Sequence, residues 1–227
     1  MELSFVATQG KRVYQEFSTD NNVSQLRPIP NKPIWRGWDF GYHHPACVWA
    51  QPTPDDKLHV LAELMGEDTT IDQFAQDVKK ISNHFFLGYK FQDAGDPAVR
   101  QVSDKSERTT ADILRLHGIR IQSRPTQIKD GVNLIRRMLR PDRNGHVTLV
   151  LDNKCEVMID AFLGGYVRRE VSGVVMDEPQ KDGYYEHIMD ALRYMCVILY
   201  DVRTGHRLKI GRPYVRRRPT ADPVTGY

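Results

Sequence analysis

The chain has 227 residues, enough to bury a real core, and a hydrophobic share of 40%, which places it with globular proteins. No apolar run approaches the roughly 18–20 residues that span a bilayer, and residues 1–25 lack the basic, apolar, small-residue order of a signal peptide. These features exclude membrane and secreted classes and imply a soluble chain. The net charge is only +3 but unevenly placed: from Arg203 to Arg218 there are Arg203, Arg207, Lys209, Arg212, Arg216, Arg217 and Arg218 and no acid, a pattern that suits a polyanion. Cys47, Cys155 and Cys196 lie far apart in apolar contexts with no C-x-x-C pair, so they read as reduced core thiols.

Residues 1–30 are polar, and "STDNN" and "RPIPNKP" mark an irregular lead-in rather than a packed element. "IWRGWDF" and "PACVWAQ" are strand-like runs separated by "GYHH", and "KLHVLAEL" follows the turn "PTPDD", which together predict a three-strand antiparallel meander. "TTIDQFAQDVKKIS" spaces Ile71, Phe74, Ala75, Val78 and Ile81 as a helix, with Thr69 or Thr70 as its cap. "LGYKFQDAG" predicts a fourth strand, "TTADILRLHG" a short helix closed by Gly118, and "IRIQSR" a fifth strand. "QIKDGVNLIRRMLR" is amphipathic, "HVTLVL" predicts a sixth strand, and "CEVMIDAFLGGY" another helix. "VRREVSGVVMDEPQKD" reads as a hairpin around Ser172-Gly173. The last helix covers about 183–200, with Asp182 as its cap.

A meander followed by alternating strands and helices predicts an α/β fold: a mixed sheet with parallel strands added beside the first strand, and helices on both faces. That puts Asp39 at the middle of the sheet. A carboxylate among Trp35, Trp38 and Phe40 costs several kcal/mol without a partner. If the first and fourth strands are neighbours, Asp39 meets Asp93 or Asp96 at one rim, and the last helix can bring Asp190, His187 and Glu186 to the same place. Three carboxylates within about 4 Å repel by roughly 1 to 4 kcal/mol per pair, and a divalent cation turns that repulsion into binding. Oxygen ligands without thiolate point to Mg²⁺ or Mn²⁺, and two such ions suit phosphodiester hydrolysis. Glu63, at the end of the third strand, is a weaker candidate beside the simpler reading of a solvated acid. Lys129, Arg168, Arg169, Arg216, Arg217 and Arg218 are candidate phosphate contacts.

The order "WDFG", "ELMGED", "GDPAVRQ", "EHIMDALRY" resembles the nuclease domain of the large terminase subunit of tailed bacteriophages, a member of the ribonuclease H-like superfamily. "GKRVYQEF" is also similar to the segment joining that nuclease to its ATPase motor, and the resemblance covers roughly residues 10–200. It implies Asp39, Asp96 and Asp190 as ligands of two Mg²⁺ or Mn²⁺ ions, with His187 near the second metal or the substrate. It prefers Asp96 to Asp93, because the family's acid immediately precedes proline. The implied organisation is a lead-in over 1–30 from an absent ATPase domain, a nuclease domain over 31–202 with a candidate hairpin flap at 167–182, and a basic tail over 203–227. No G-x-x-x-x-G-K-[ST] phosphate loop occurs, so no ATP site is expected in this chain.

The expected activity is endonucleolytic cleavage of concatemeric viral DNA during packaging, in the host cytoplasm. The partners implied by the resemblance are double-stranded DNA, a terminase ATPase motor, the small terminase subunit and the portal protein, with no membrane. The alternatives are another ribonuclease H-like nuclease, such as a junction resolvase or transposase core, and a non-catalytic adapter that docks DNA or the portal.

Overall fold

The computed structural model of the chain describes residues 11–100 and 108–208. Seven strands form one sheet: β1 (Val23–Ser24), β2 (Ile34–Asp39), β3 (Ala46–Pro52), β4 (Leu58–Met65), β5 (Phe91–Gly95), β6 (Ile121–Gln122) and β7 (Leu149–Asp152). Their order is β1-β7-β4-β3-β2-β5-β6. The pairs β2/β3 and β3/β4 are antiparallel and the others parallel, so β3 alone runs against the rest. The meander is therefore present as expected. β5 lies directly beside β2, in parallel, with Trp38 opposite Gly95. The middle place belongs to β3, one strand over from the sequence expectation, because β4 recruits β7 and β1 on its far side.

Helices α1 (Thr19–Asn22), α2 (Ile71–Phe85), α3 (Thr110–Leu116), α4 (Ile128–Leu139), α5 (Glu156–Asp160) and α6 (Tyr185–Leu199) complete the fold. Buried side chains divide into two clusters, one on each face of the sheet. Ile34, Trp38, Trp49, Phe74, Val78 and Leu114 pack under α2 and α3. Trp35, Val48, Ala50, Ile135, Met158 and Leu192 pack under α4, α5 and α6. Alternation along β2 explains the division, since successive side chains of a strand point to opposite faces. The three cysteines are free and buried, as read from the sequence. Among the described residues no helix is long and apolar enough to cross a membrane.

Helix α6 lies close against β2 because Gly37 has no side chain there: a Cβ at that position would sit 2.4 Å from the Ala191 carbonyl oxygen. A Gly37→Ala substitution is expected to destabilise the chain by about 1–3 kcal/mol through overpacking. Denaturant unfolding would check it, and an unchanged midpoint would mean that α6 can retreat at no cost.

Several elements differ from expectation. Part of the lead-in is packed: Val13, Tyr14 and Phe17 are buried, Phe17 stacks on Phe162 at 4.6 Å, and β1 adds to the sheet beside β7. The fifth strand shrinks to Ile121–Gln122, paired with Asp93–Ala94 before Pro125 ends it. The sixth begins only at Leu149, because the Asp142 carboxylate draws the backbone of Asn144 and His146 into a turn. The helix after Cys155 stops at Asp160 and widens into a π turn over Ala161–Gly165, where Gly164 takes φ 154°, a conformation open to glycine. The N-cap of α6 is Tyr184, not Asp182; Asp182 still accepts from the Tyr184 and Glu186 amides through Oδ1. The expected hairpin is present as β8 (Arg168–Val171) and β9 (Val174–Pro179), turning through Ser172 and Gly173 at positive φ.

Candidate active site at the strand ends

Because Trp38 pairs with Gly95 in parallel register, the residues that follow them, Asp39 and Asp96, leave adjacent strands side by side. Helix α6 supplies the third acid, Asp190, and His187 one turn earlier. His187 Nδ1 donates to Asp39 Oδ2 at 2.7 Å. Gly41 leaves room for this imidazole, since a Cβ there would lie 2.5 Å from the ring. Burial pushes the Asp39 carboxyl up to about 6; the bond from His187 opposes that rise, and the charges of Asp190 and Asp96 add to it. Burial also raises Asp190, against the pull of Arg193, and Asp96 raises it further. The bond to Asp39 holds the His187 imidazolium above its usual range. The three acids thus act on one another electrostatically, as charges gathered at one rim do.

Each of these acids already has a partner within the chain. Asp39 accepts from His187. Asp190 accepts from Arg193 through both oxygens, at 3.1 and 2.9 Å. Asp96 Oδ1 accepts from the Ala98 amide at 2.8 Å. Among the described residues no three His, Cys, Asp or Glu side chains are gathered closely enough to hold a metal ion as they stand. The donor chemistry nevertheless fits a hard divalent cation: oxygen ligands, no thiolate, and in Asp39 and Asp190 carboxyls raised first by burial and then by the neighbouring carboxylates.

The remaining candidates are divided between this rim and other parts of the fold. Asp93 points to the opposite face of the sheet, where it takes a two-pronged bond from Arg36 (2.7 and 2.9 Å) and a third from Trp38 Nε1 (2.8 Å). With the register known, pleat parity separates it from Asp96, three positions on. Glu63 is half-buried and engaged within the fold: its carboxylate caps α5 by accepting from the Val157 and Met158 amides at 2.7 and 3.0 Å. Glu186 lies beside His187, with 3.8 Å between Oε1 and Nε2. Arg216, Arg217 and Arg218 lie outside the described residues, whereas Arg207 is tied to the fold through the Thr53 carbonyl.

A groove of about 910 Å³ runs beside Asp190, between the start of α4, the β8–β9 hairpin and the start of α6. Lys129, Arg136, Arg169 and Lys181 line it, but so do Glu170, Asp177, Glu178 and Glu186. Lys129 pairs with Asp177 of the hairpin at 3.5 Å, and Arg168, opposite Pro179, sits at the hairpin base. Sequence reading missed Arg193 as a site residue; its signal was the i, i+3 spacing from Asp190 on one helix.

Burial pushes the Glu63 carboxyl up to about 7, against the two amide bonds. A carboxyl raised on folding contributes stability that is present below its unfolded pKa of about 4.5 and lost as pH rises through about 7. The chain is therefore expected to lose thermal stability relative to Glu63→Gln between those pH values. An opposite trend in paired melting curves would refute this.

Taken together, the seven-stranded mixed sheet with helices on both faces is a ribonuclease H-like α/β fold. More particularly, it is similar to solved large terminases, as the motif order suggests. The large terminase of a thermophilic bacteriophage matches at 18% identity over 81% of this chain and 43% of that one, with a TM-score of 0.64. The P22 large terminase nuclease domain matches at 18% identity over 82% of this chain and 91% of that domain, with a TM-score of 0.63. The nuclease domain of the large terminase of bacteriophage SPP1, solved with bound Mn, matches at 16% identity over 80% and 95%, with a TM-score of 0.54. The chain spans less than half the length of the thermophilic phage terminase. No family model and no curated protein matches the sequence.

Proposed function

We propose that the chain is a metal-dependent endonuclease that cuts concatemeric viral double-stranded DNA during genome packaging. What supports this reading is that Asp39 and Asp96 follow paired residues of adjacent strands and that the charges of Asp96 and Asp190 both bear on Asp39, in a fold similar to that of large terminase nuclease domains. These three acids would hold Mg²⁺ or Mn²⁺, two ions in the full site, which supply water activation and stabilisation of the leaving 3′ oxygen of a phosphodiester. His187 orients Asp39 through its Nδ1 bond. The β8–β9 hairpin walls the groove beside Asp190 and acts as a flap over the substrate path, with Lys129, Arg168 and Arg169 close to the phosphates. The chain works with an ATPase motor, the small terminase subunit and the portal protein, in the host cytoplasm.

Contacts to phosphate would dominate binding, so the reading predicts low sequence preference and a log–log salt slope of about −0.9 per phosphate neutralised. Cleavage of supercoiled plasmid is expected with Mn²⁺ or Mg²⁺ and none with EDTA. Undiminished cutting in EDTA would reject the metal-dependent reading, and a strong preference for four-way junctions would favour a resolvase.

A further inference from the structure

Arg193 is buried, at 3% exposure, yet it carries a charge that cannot be shed in a protein. Its fork takes both oxygens of Asp190. The side chain is fixed from two further directions. Its stem fills the space above Gly131, where a Cβ would stand 2.7 Å from Cγ and 2.8 Å from Cδ. Its guanidinium lies 4.5 Å from the centre of the Tyr194 ring. A guanidinium held this way is pre-organised for a carboxylate; removing Asp190 leaves the guanidinium buried and alone, and removing Arg193 leaves a half-buried carboxylate without its counter-charge.

We propose that Arg193 is a positioning residue that serves as an internal counter-ion, holding Asp190 in the metal-free chain, and that metal loading draws at least one Asp190 oxygen away from the guanidinium. The inference rests on the reading of Asp190 as a metal ligand. It explains how a half-buried carboxylate beside Asp39 and Asp96 is tolerated when no cation is bound. It also explains why the three acids stand partnered within the chain rather than drawn together. Loading is then an exchange, and affinity at the rim is set partly by how firmly Arg193 keeps its hold.

The test measures Mn²⁺ binding through the resonance of the free ion, for the wild type, Arg193→Gln, Arg193→Lys and Asp190→Asn. Arg193→Gln removes a competing positive charge and is expected to bind Mn²⁺ about tenfold more tightly or better. Arg193→Lys keeps the charge but loses the fork, and is expected to fall between Arg193→Gln and the wild type. Binding by both variants that is no tighter than the wild type overturns the exchange. If Arg193→Gln does not fold, Arg193→Lys decides alone, by the same criterion. Metal-free melting gives a second readout. Arg193→Gln is expected to lower Tm by about 5 °C or more, and adding Asp190→Asn is expected to recover most of the loss, since neither partner is then left charged. Additive losses overturn the counter-ion role. Asp190→Asn binding Mn²⁺ as well as the wild type overturns instead the assignment of Asp190 as a ligand, an outcome distinct from the others.

Discussion

An Asp39→Ala/Asp190→Ala double variant is expected to cut plasmid DNA at least about a thousandfold more slowly than the unsubstituted chain, which corresponds to about 4 kcal/mol of lost transition-state stabilisation. The reason is local. Asp39 and Asp190 come from different elements, one from the end of β2 and one from α6, and both bear charge on the same rim. Without them Asp96 is the remaining acid of the three, and a single carboxylate is a poor holder of a hard cation. Asp190→Ala leaves the buried Arg193 without its carboxylate, so the double variant is expected to be less stable, and the two chains are compared at a temperature at which both are folded. Circular dichroism together with a timed nicking assay checks both halves. A folded double variant that cuts at the original rate would remove the nuclease reading.

The second large effect lies on the opposite face of the sheet. Asp93→Ala is expected to destabilise the chain by about 3–5 kcal/mol, because Arg36 would be left buried with its charge unpaired. Arg36 is 5% exposed and Asp93 6%, so water cannot take the missing partner's place. The network around them is closed: Arg36 also reaches Ser82 Oγ at 3.3 Å, and Trp49 Nε1 donates to the same oxygen at 3.0 Å. The Arg36 guanidinium lies 4.7 Å from the Phe91 ring, which adds a cation–π contact in a dry setting. Urea unfolding of Asp93→Ala beside Asp96→Ala is the informative comparison. Asp96 is only half-buried, and its Oδ1 caps a single amide, so its loss is expected to cost far less stability. Equal destabilisation by the two would contradict the separation of the acids by strand parity.

Much of this arrangement was legible in the sequence, for identifiable reasons. Alternating apolar residues bounded by "GYHH" and "PTPDD" marked the meander, and Thr70 capped α2 as its position promised, accepting from the Gln73 amide. The adjacency of β2 and β5 followed from the rule that parallel strands are added beside an existing one. The choice between Asp93 and Asp96 was not legible from periodicity, because both end one strand and only the pairing register tells which face each takes. Glu63 was misread for a related reason: its partners, Val157 and Met158, lie more than ninety positions away in sequence. The packing of Val13, Tyr14 and Phe17 was hidden in the same manner, since their neighbours Phe162 and Tyr166 are remote and the segment shows no period. Arg193 lay in plain view three positions after Asp190, but spacing alone does not distinguish a buried fork from a solvated pair.

The sheet also keeps two tasks apart. The Arg36–Asp93 network and the aromatic residues beneath α2 and α3 are on one side, while α6 with its acids is on the other, and Gly37 fixes the distance between that helix and β2. Apolar residues on the first side can be exchanged, provided their volumes still fill the layer, without touching the carboxylates on the second. Such a partition lets an architecture outlast nearly all recognisable kinship in its letters.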